Sequence, residues 1–188
     1  MAPESPPVPS EQLAAAGWRR IDHRSESLFR LPGLNVFGET WIYEDATLRR
    51  RIAAEGGPDR LWRFFFATEL RFEPSLGPGG AAMVRPIVVR GARESFADEL
   101  RERGIDDVER TETGTLRTEG GHRARTAGYR GRLRVDEVEL PIAGWVAVWN
   151  DGSFRVAGGA YPESGIERWI GTDREFRTEL FSLIRATG

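Results

Sequence analysis

Arg130, Arg132 and Arg134 fall at alternate positions of one stretch, and Trp145, Trp149, Gly158, Gly159 and Tyr161 gather in another. These are the residues of the chain whose types and spacing suit them to holding a ligand. Alternate residues of a strand share a face and lie about 7 Å apart, so the three arginines would stand as a ladder of guanidinium groups. Such a ladder can follow a polyanion or hold a carboxylate partner. It can equally be a solvated strand face, paired with Asp136, Glu137, Glu139 or the acids of a neighbouring strand. The aromatic set offers a second kind of site, because amphipathic rings line ligand pockets and a glycine pair leaves room beside them. Core packing is the other use of the same residues.

Groups suited to catalysis are sparse. His23 and His122 lie in polar segments without the H-x-x-x-H or H-E-x-x-H spacing of a metal site. Asp106-Asp107, Asp136-Glu137 and Glu163 supply carboxylates for acid–base work, yet all sit near predicted turns or polar edges, where solvated acids are ordinary. No G-x-S-x-G elbow and no D-x-[DN]-x-[DN]-G calcium loop occurs, and the glycines of residues 74–80 lack the GK[ST] ending of a phosphate-binding loop. The expectation is a protein with no catalytic residue, metal or cofactor.

Composition narrows the classes further. Cysteine is absent, which removes disulfides, thiolate metal sites and a cysteine nucleophile. All 27 basic residues are arginine, which removes Schiff-base chemistry and lysine general bases. Biased genome composition accounts for this usage, and an arginine-and-carboxylate surface also suits a high-salt cytoplasm. With 29 acidic residues the net charge is −2, which argues against nucleic acid as a partner held by overall charge. The first ten residues, MAPESPPVPS, have neither a basic nor an apolar signal region, and no apolar run approaches the roughly 20 residues of a membrane span. A cytoplasmic protein that does not enter membranes is expected.

The elements that must position these groups follow from periodicity. Residues 1–9, rich in proline, are expected to form a disordered tail, and residues 10–188 a single domain. Ser10 starts a short helical turn ended by Gly17, and residues 17–22 and 27–31 read as short strands. Residues 36–44 are rich in β-branched and aromatic residues and form a strand, after which Asp45 caps a helix over 46–55. In LWRFFFATELRF, residues 61–72, Trp62, Phe64, Phe66, Leu70 and Phe72 alternate with Arg63, Glu69 and Arg71. This predicts a spine strand with one face under a helix and a mixed opposite face, Arg63, Phe65, Glu69 and Arg71, open to a partner.

Beyond a loop at 74–80, residues 83–90 read as a strand with Pro86 at an edge or bulge. Ser95 and Asp98 then form a near capping box for a helix burying Phe96 and Leu100 and ended by Gly104. Strands follow over 108–117 and 123–135, the latter with a bulge near Gly128, and over 144–150, where Asp151-Gly152 signals a hairpin to a strand bearing Phe154 and Val156. Thr172 and Glu175 make a capping box for a last helix with Phe176, Leu180, Phe181, Leu183 and Ile184 on one stripe. The fold class expected is α+β, a mostly antiparallel sheet flanked by helices.

The order of elements resembles the Mog1p/PsbP-like fold, in which an antiparallel sheet is sandwiched between helices. FFFATEL, GWVAVWNDGSF and VAGGAYP resemble an uncharacterised domain-of-unknown-function family from salt-loving archaea. The first resemblance implies a binding or assembly factor, and it carries no catalytic residue onto this chain. The functional expectation is therefore a non-enzymatic module that binds a protein partner. Two alternatives are a carrier of a small apolar or aromatic ligand in a tryptophan-lined cavity, and a cofactor-free hydrolase or isomerase using a carboxylate and an arginine.

Overall fold

Local sequence signals build one sheet and its covering helices. A computed structural model describes residues 7–171 and 175–188. Its strands are β1 (Trp18–Leu31), β2 (Leu34–Asp45), β3 (Phe64–Glu73), β4 (Ile105–Arg117), β5 (Arg123–Val135), β6 (Val138–Asn150) and β7 (Phe154–Pro162). All neighbours are antiparallel, in the order β1-β2-β3-β7-β6-β5-β4. The α-helices among the described residues are α1 (Ser10–Ala15), α2 (Ala46–Ala54), α3 (Gly80–Glu102) and α4 (Phe176–Arg185), with a 3-10 turn at Ile166–Arg168, so the class is α+β as the pattern predicts. The expected tail up to residue 6 and the capping residue Thr172 lie outside the described residues. Val8 packs partly buried against the core.

Asp45 fixes the first corner. Its carboxylate accepts a hydrogen bond of 2.9 Å from the Leu48 amide and so caps α2, whose Leu48 and Ile52 are buried. The hairpin from β6 to β7 closes at Asp151-Gly152-Ser153, with Gly152 at φ 117°. Both edge strands, β1 and β4, are strongly charged, which discourages pairing with another sheet. The short strands expected over 17–22 and 27–31 are one strand, β1, whose register shifts between Arg20 and Asp22 and between Ser27 and Phe29 account for the interruption.

Several expectations are corrected by packing. Residues 83–90 are helix, within α3, and not strand. Val84, Val88, Ala92, Phe96 and Leu100 recur every fourth residue and make one continuous helical stripe, which outweighs the breaker at Pro86, itself on the exposed side. Ser95 is consequently inside the helix and caps nothing, and Asp98 pairs with Arg101 at 2.8 Å. The expected bulge at Gly128 is absent from β5, which keeps register with β6 through the pair Gly128 and Trp145. The irregularity is on β4, between Arg110 and Glu112, opposite that glycine. A Cβ on Gly128 would come within 2.9 Å of the Trp145 ring, so the glycine serves the close approach of that ring.

The spine strand is covered on both sides. Phe66 meets Phe96 of α3 with ring centroids 5.8 Å apart, as its face requires. The opposite face is not the open surface expected: Arg63, Phe65 and Glu69 are buried and only Arg71 is exposed. α4 covers it together with α1, which is tied to α4 by a 2.9 Å hydrogen bond from Gln12 to the Ser182 hydroxyl. Arg63, 1% exposed, donates to Asp45 at 3.2 Å, to Glu179 of α4 at 2.6 Å and to the Phe176 carbonyl at 3.3 Å. Its guanidinium also lies 4.8 Å from the Trp18 ring and 4.7 Å from that of Phe176.

Two substitutions probe this account. Arg63→Ala leaves the Asp45 carboxylate buried without this cation and is expected to cost about 3–5 kcal/mol in urea unfolding. A loss under about 1 kcal/mol would mean that Arg63 does not hold the α4 layer in place. Pro86→Ala restores the missing amide in an exposed part of α3 and is expected to raise stability by up to about 3 kcal/mol. A lowered unfolding midpoint would contradict the helical assignment of that segment.

Candidate functional site

The aromatic set of the sequence is packed rather than hollow. Adjacent residues of a strand face opposite ways, so Gly158 and Gly159 point to different sides of the sheet. A Cβ on Gly158 would lie 2.3 Å from the Trp145 carbonyl oxygen and 2.9 Å from the Phe66 ring. One on Gly159 would lie 2.1 Å from the Phe64 carbonyl oxygen and 3.0 Å from Leu180 of α4. The space expected beside the glycine pair is thus occupied by β3, β6 and α4. Trp145 stacks edge-on against Phe181 at 4.9 Å, and Tyr161 lies 6.2 Å from Phe176. Burial pushes the Tyr161 hydroxyl above its ordinary pKa. Trp145, Trp149, Gly158, Gly159 and Tyr161 therefore do not line one cavity.

The arginine ladder is exposed and neutralised. Arg130 reaches Glu163 at 3.4 Å, Arg132 pairs with Asp107, and Arg134 lies 2.8 Å from Glu139. The hydrogen bond from Arg134, with the charge of Arg132, holds the Glu139 carboxyl below its ordinary pKa. The ladder is thus met by acids of its own hairpin, of β4 and of the segment after β7. Of the other acids singled out, Asp107 and Asp136 sit at backbone corners, with φ of 52° and 55°. Among the described residues no cluster of three or more histidine or acidic side chains is placed to hold a metal ion.

An apolar cavity lies under α3, toward the β1 side of the sheet. It measures about 120 Å³ and is walled by Ile42, Phe64, Phe66, Leu70, Phe96 and Val156. Two threonines of its floor, Thr40 and Thr68, face each other across β2 and β3 with hydroxyl oxygens 2.8 Å apart, satisfying one another. At the rim Glu99 of α3 is clamped between two cations, Arg103 at 2.6 Å and Arg24 of β1 at 3.0 Å. Arg24 also binds Asp22 at 2.8 Å, and that hydrogen bond holds the Asp22 carboxyl below its usual range. The Arg103 guanidinium spreads over the Phe64 ring at 4.1 Å. The arrangement is an apolar chamber with a charged, hydrogen-bonded rim.

These residues come from β1, β2, β3, β7 and α3, so no local spacing in the sequence announces them. The one local signal is the run of small residues Gly91, Ala92 and Ser95 on α3, whose short side chains leave the space between helix and sheet unfilled at that level. Buried acid–arginine pairs also occur elsewhere, with Glu69 at 2.7 Å from Arg155 and Glu44 at 3.0 Å from Arg49. They tie strands and α2 together and do not border this chamber.

No curated protein and no solved structure matches the chain. A family model described as a domain of unknown function, DUF6517, matches residues 5–188. With all but the first four residues so matched, the chain belongs to the DUF6517 family.

Proposed function

We propose that the protein is a non-enzymatic binding module whose recognition element is the phenylalanine-walled chamber under α3. The observation that carries this reading is the chamber itself: about 120 Å³ walled by aromatic and aliphatic side chains, open at a rim of ion-paired residues, with the two threonine hydroxyls of its floor bonded to each other. An engineered apolar cavity of about 150 Å³ in another protein stays dry and takes up benzene, so this volume suits a single ring or a short branched chain. The ligand is then a small apolar or aromatic group, held between phenylalanines where the sequence had pointed to tryptophans. A Mog1p/PsbP-like arrangement, an origin among salt-loving archaea and a cytoplasmic setting are part of the same reading. No helix among the described residues is long and apolar enough to cross a membrane.

A second reading, binding or assembly with a protein partner, is favoured by the exposed flank of α3. Met83 is 81% exposed and Ile87 42% exposed, one turn apart. Ile87 also precedes Gly91 of the chamber by one turn, so a partner's apolar side chain can be the group that enters.

Thermal unfolding with single-ring compounds such as benzene and indole tests the primary reading. At about 100 times its Kd a ligand adds about 2.7 kcal/mol to the folded state, a rise of roughly 5–10 °C for a chain of this size. Ala92→Phe fills the chamber and is expected to abolish the rise while leaving the protein folded. Equal shifts in both proteins, or none in either, would defeat the reading. Chemical turnover of a bound compound that is lost in Glu99→Gln would replace it with the hydrolase or isomerase alternative.

A further inference from the structure

The other flank of α3 has the opposite chemistry. Arg85, Val89 and Arg93 are spaced four apart on one stripe of the helix and form one wall of a groove. Arg123 and Arg125, alternate residues of β5, form its floor about 7 Å apart. The groove holds about 650 Å³, and no aspartate or glutamate lines it. Thr113 and Thr115 of β4 and Asn150 of β6 add neutral hydrogen-bonding groups, and Trp149 borders it.

What distinguishes these four arginines is that they converge on one concavity that no acid lines. Acids outnumber bases 29 to 27, and the ladder at Arg130, Arg132 and Arg134, on the same strand, is met by carboxylates. Among the described residues Arg85, Arg93, Arg123 and Arg125 have no ion pair. Four cations gathered around one concavity repel each other and raise a local positive potential, which an anion between them relieves. Guanidinium groups offer paired N–H donors that fit phosphate oxygens two at a time. Wall and floor approach such a group from two sides, and the volume lies within the roughly 300–1,000 Å³ of small-molecule sites.

We propose that this groove is a binding site for a small molecule bearing two or more phosphate groups, held between Arg85 and Arg93 on α3 and Arg123 and Arg125 on β5. It is separate from the chamber and does not depend on that site's occupancy. A net charge of −2 and an acidic β4 edge argue for a compact ligand over a long nucleic acid.

Isothermal titration of the full chain with pyrophosphate and tripolyphosphate in 0.1 M salt, where the Debye length is about 10 Å, tests the site. Binding in the micromolar range is expected, tighter for tripolyphosphate. Arg123→Gln/Arg125→Gln and Arg85→Gln/Arg93→Gln should each weaken it at least tenfold, with circular dichroism confirming the fold of whichever pair is read. Arg130→Gln/Arg132→Gln, on the paired ladder, should leave it unchanged. Absence of binding at millimolar anion, or equal weakening by the ladder variant, would overturn the proposal. So would capture of oligonucleotides or phosphatidylglycerol vesicles without affinity for either phosphate compound.

Discussion

The burial of Arg63 is the constraint around which the other elements are placed. A guanidinium taken out of water loses several kcal/mol of solvation, and the fold must return this through fixed partners. Asp45 supplies one carboxylate at 3.2 Å while also capping α2, so the end of β2, the start of α2 and the start of β3 are set by one pair of residues. The backbone repeats the link, since the Asp45 amide donates to the Arg63 carbonyl at 3.2 Å. Glu179 and the Phe176 carbonyl then bring in α4, and the Trp18 ring brings in the start of β1. An apolar residue in place of Arg63 could pack as tightly, but it would not dictate which turn of α4 faces β3. The ion network contributes position as much as energy.

With α4 so held, the central strands are covered on both faces. β3, β6 and β7 accordingly read as nearly unbroken apolar runs, FFFATEL, GWVAVW and VAGGAY, the pattern of strands without a wet side. Glycine is what lets the layers close. Phe96 and Leu100 reach Gly144 from α3, and Leu180 reaches Gly159 from α4, at distances where a Cβ would collide or press. The buried acids Glu44, Asp45 and Glu69 each meet an arginine, Glu69 lying 2.7 Å from Arg155.

Much of the architecture was legible because its signals are local. The Asp45 cap, the hairpin at Asp151-Gly152 and the α4 stripe each lie within a few residues, and the structure has each of them. Of the expected capping box, Thr172 lies outside the described residues, and Glu175 stands at the N-cap of α4 without a side-chain cap hydrogen bond. What was not legible depends on distant partners. Alternation marked Arg63 as polar and therefore outward, and only Asp45 and Glu179, 18 and 116 residues away, make it an inside residue. Pro86 concealed the first half of α3 because a breaker is a local signal, whereas the repeat Val84, Val88, Ala92, Phe96 and Leu100 that overrides it spans more than four turns. The tryptophans drew attention as a pocket lining, yet rings of that size fill space. The chamber opens beside small residues of α3.

The placement of both cavities follows from widths. Seven strands at about 4.8 Å spacing make a sheet roughly 29 Å across, and a helix with its side chains is only about 10–12 Å wide. On the opposite face α1 and α4 share the covering, and on this one the long helix α3 packs over the sheet through Phe96 and Leu100. A single helix cannot cover such a face, so a flank is left on each side of it. Toward β1 and β2 the exposed strip is lined by Leu28, Ile42 and Phe66, and small residues on α3 deepen it into the chamber. Toward β4 and β5 it carries Arg123 and Arg125, and the helix answers with Arg85 and Arg93. The helix dipole does not choose between these flanks, since it acts along the axis. The difference resides in side chains alone: the same backbone arrangement yields an apolar chamber on one side of α3 and a cationic groove on the other.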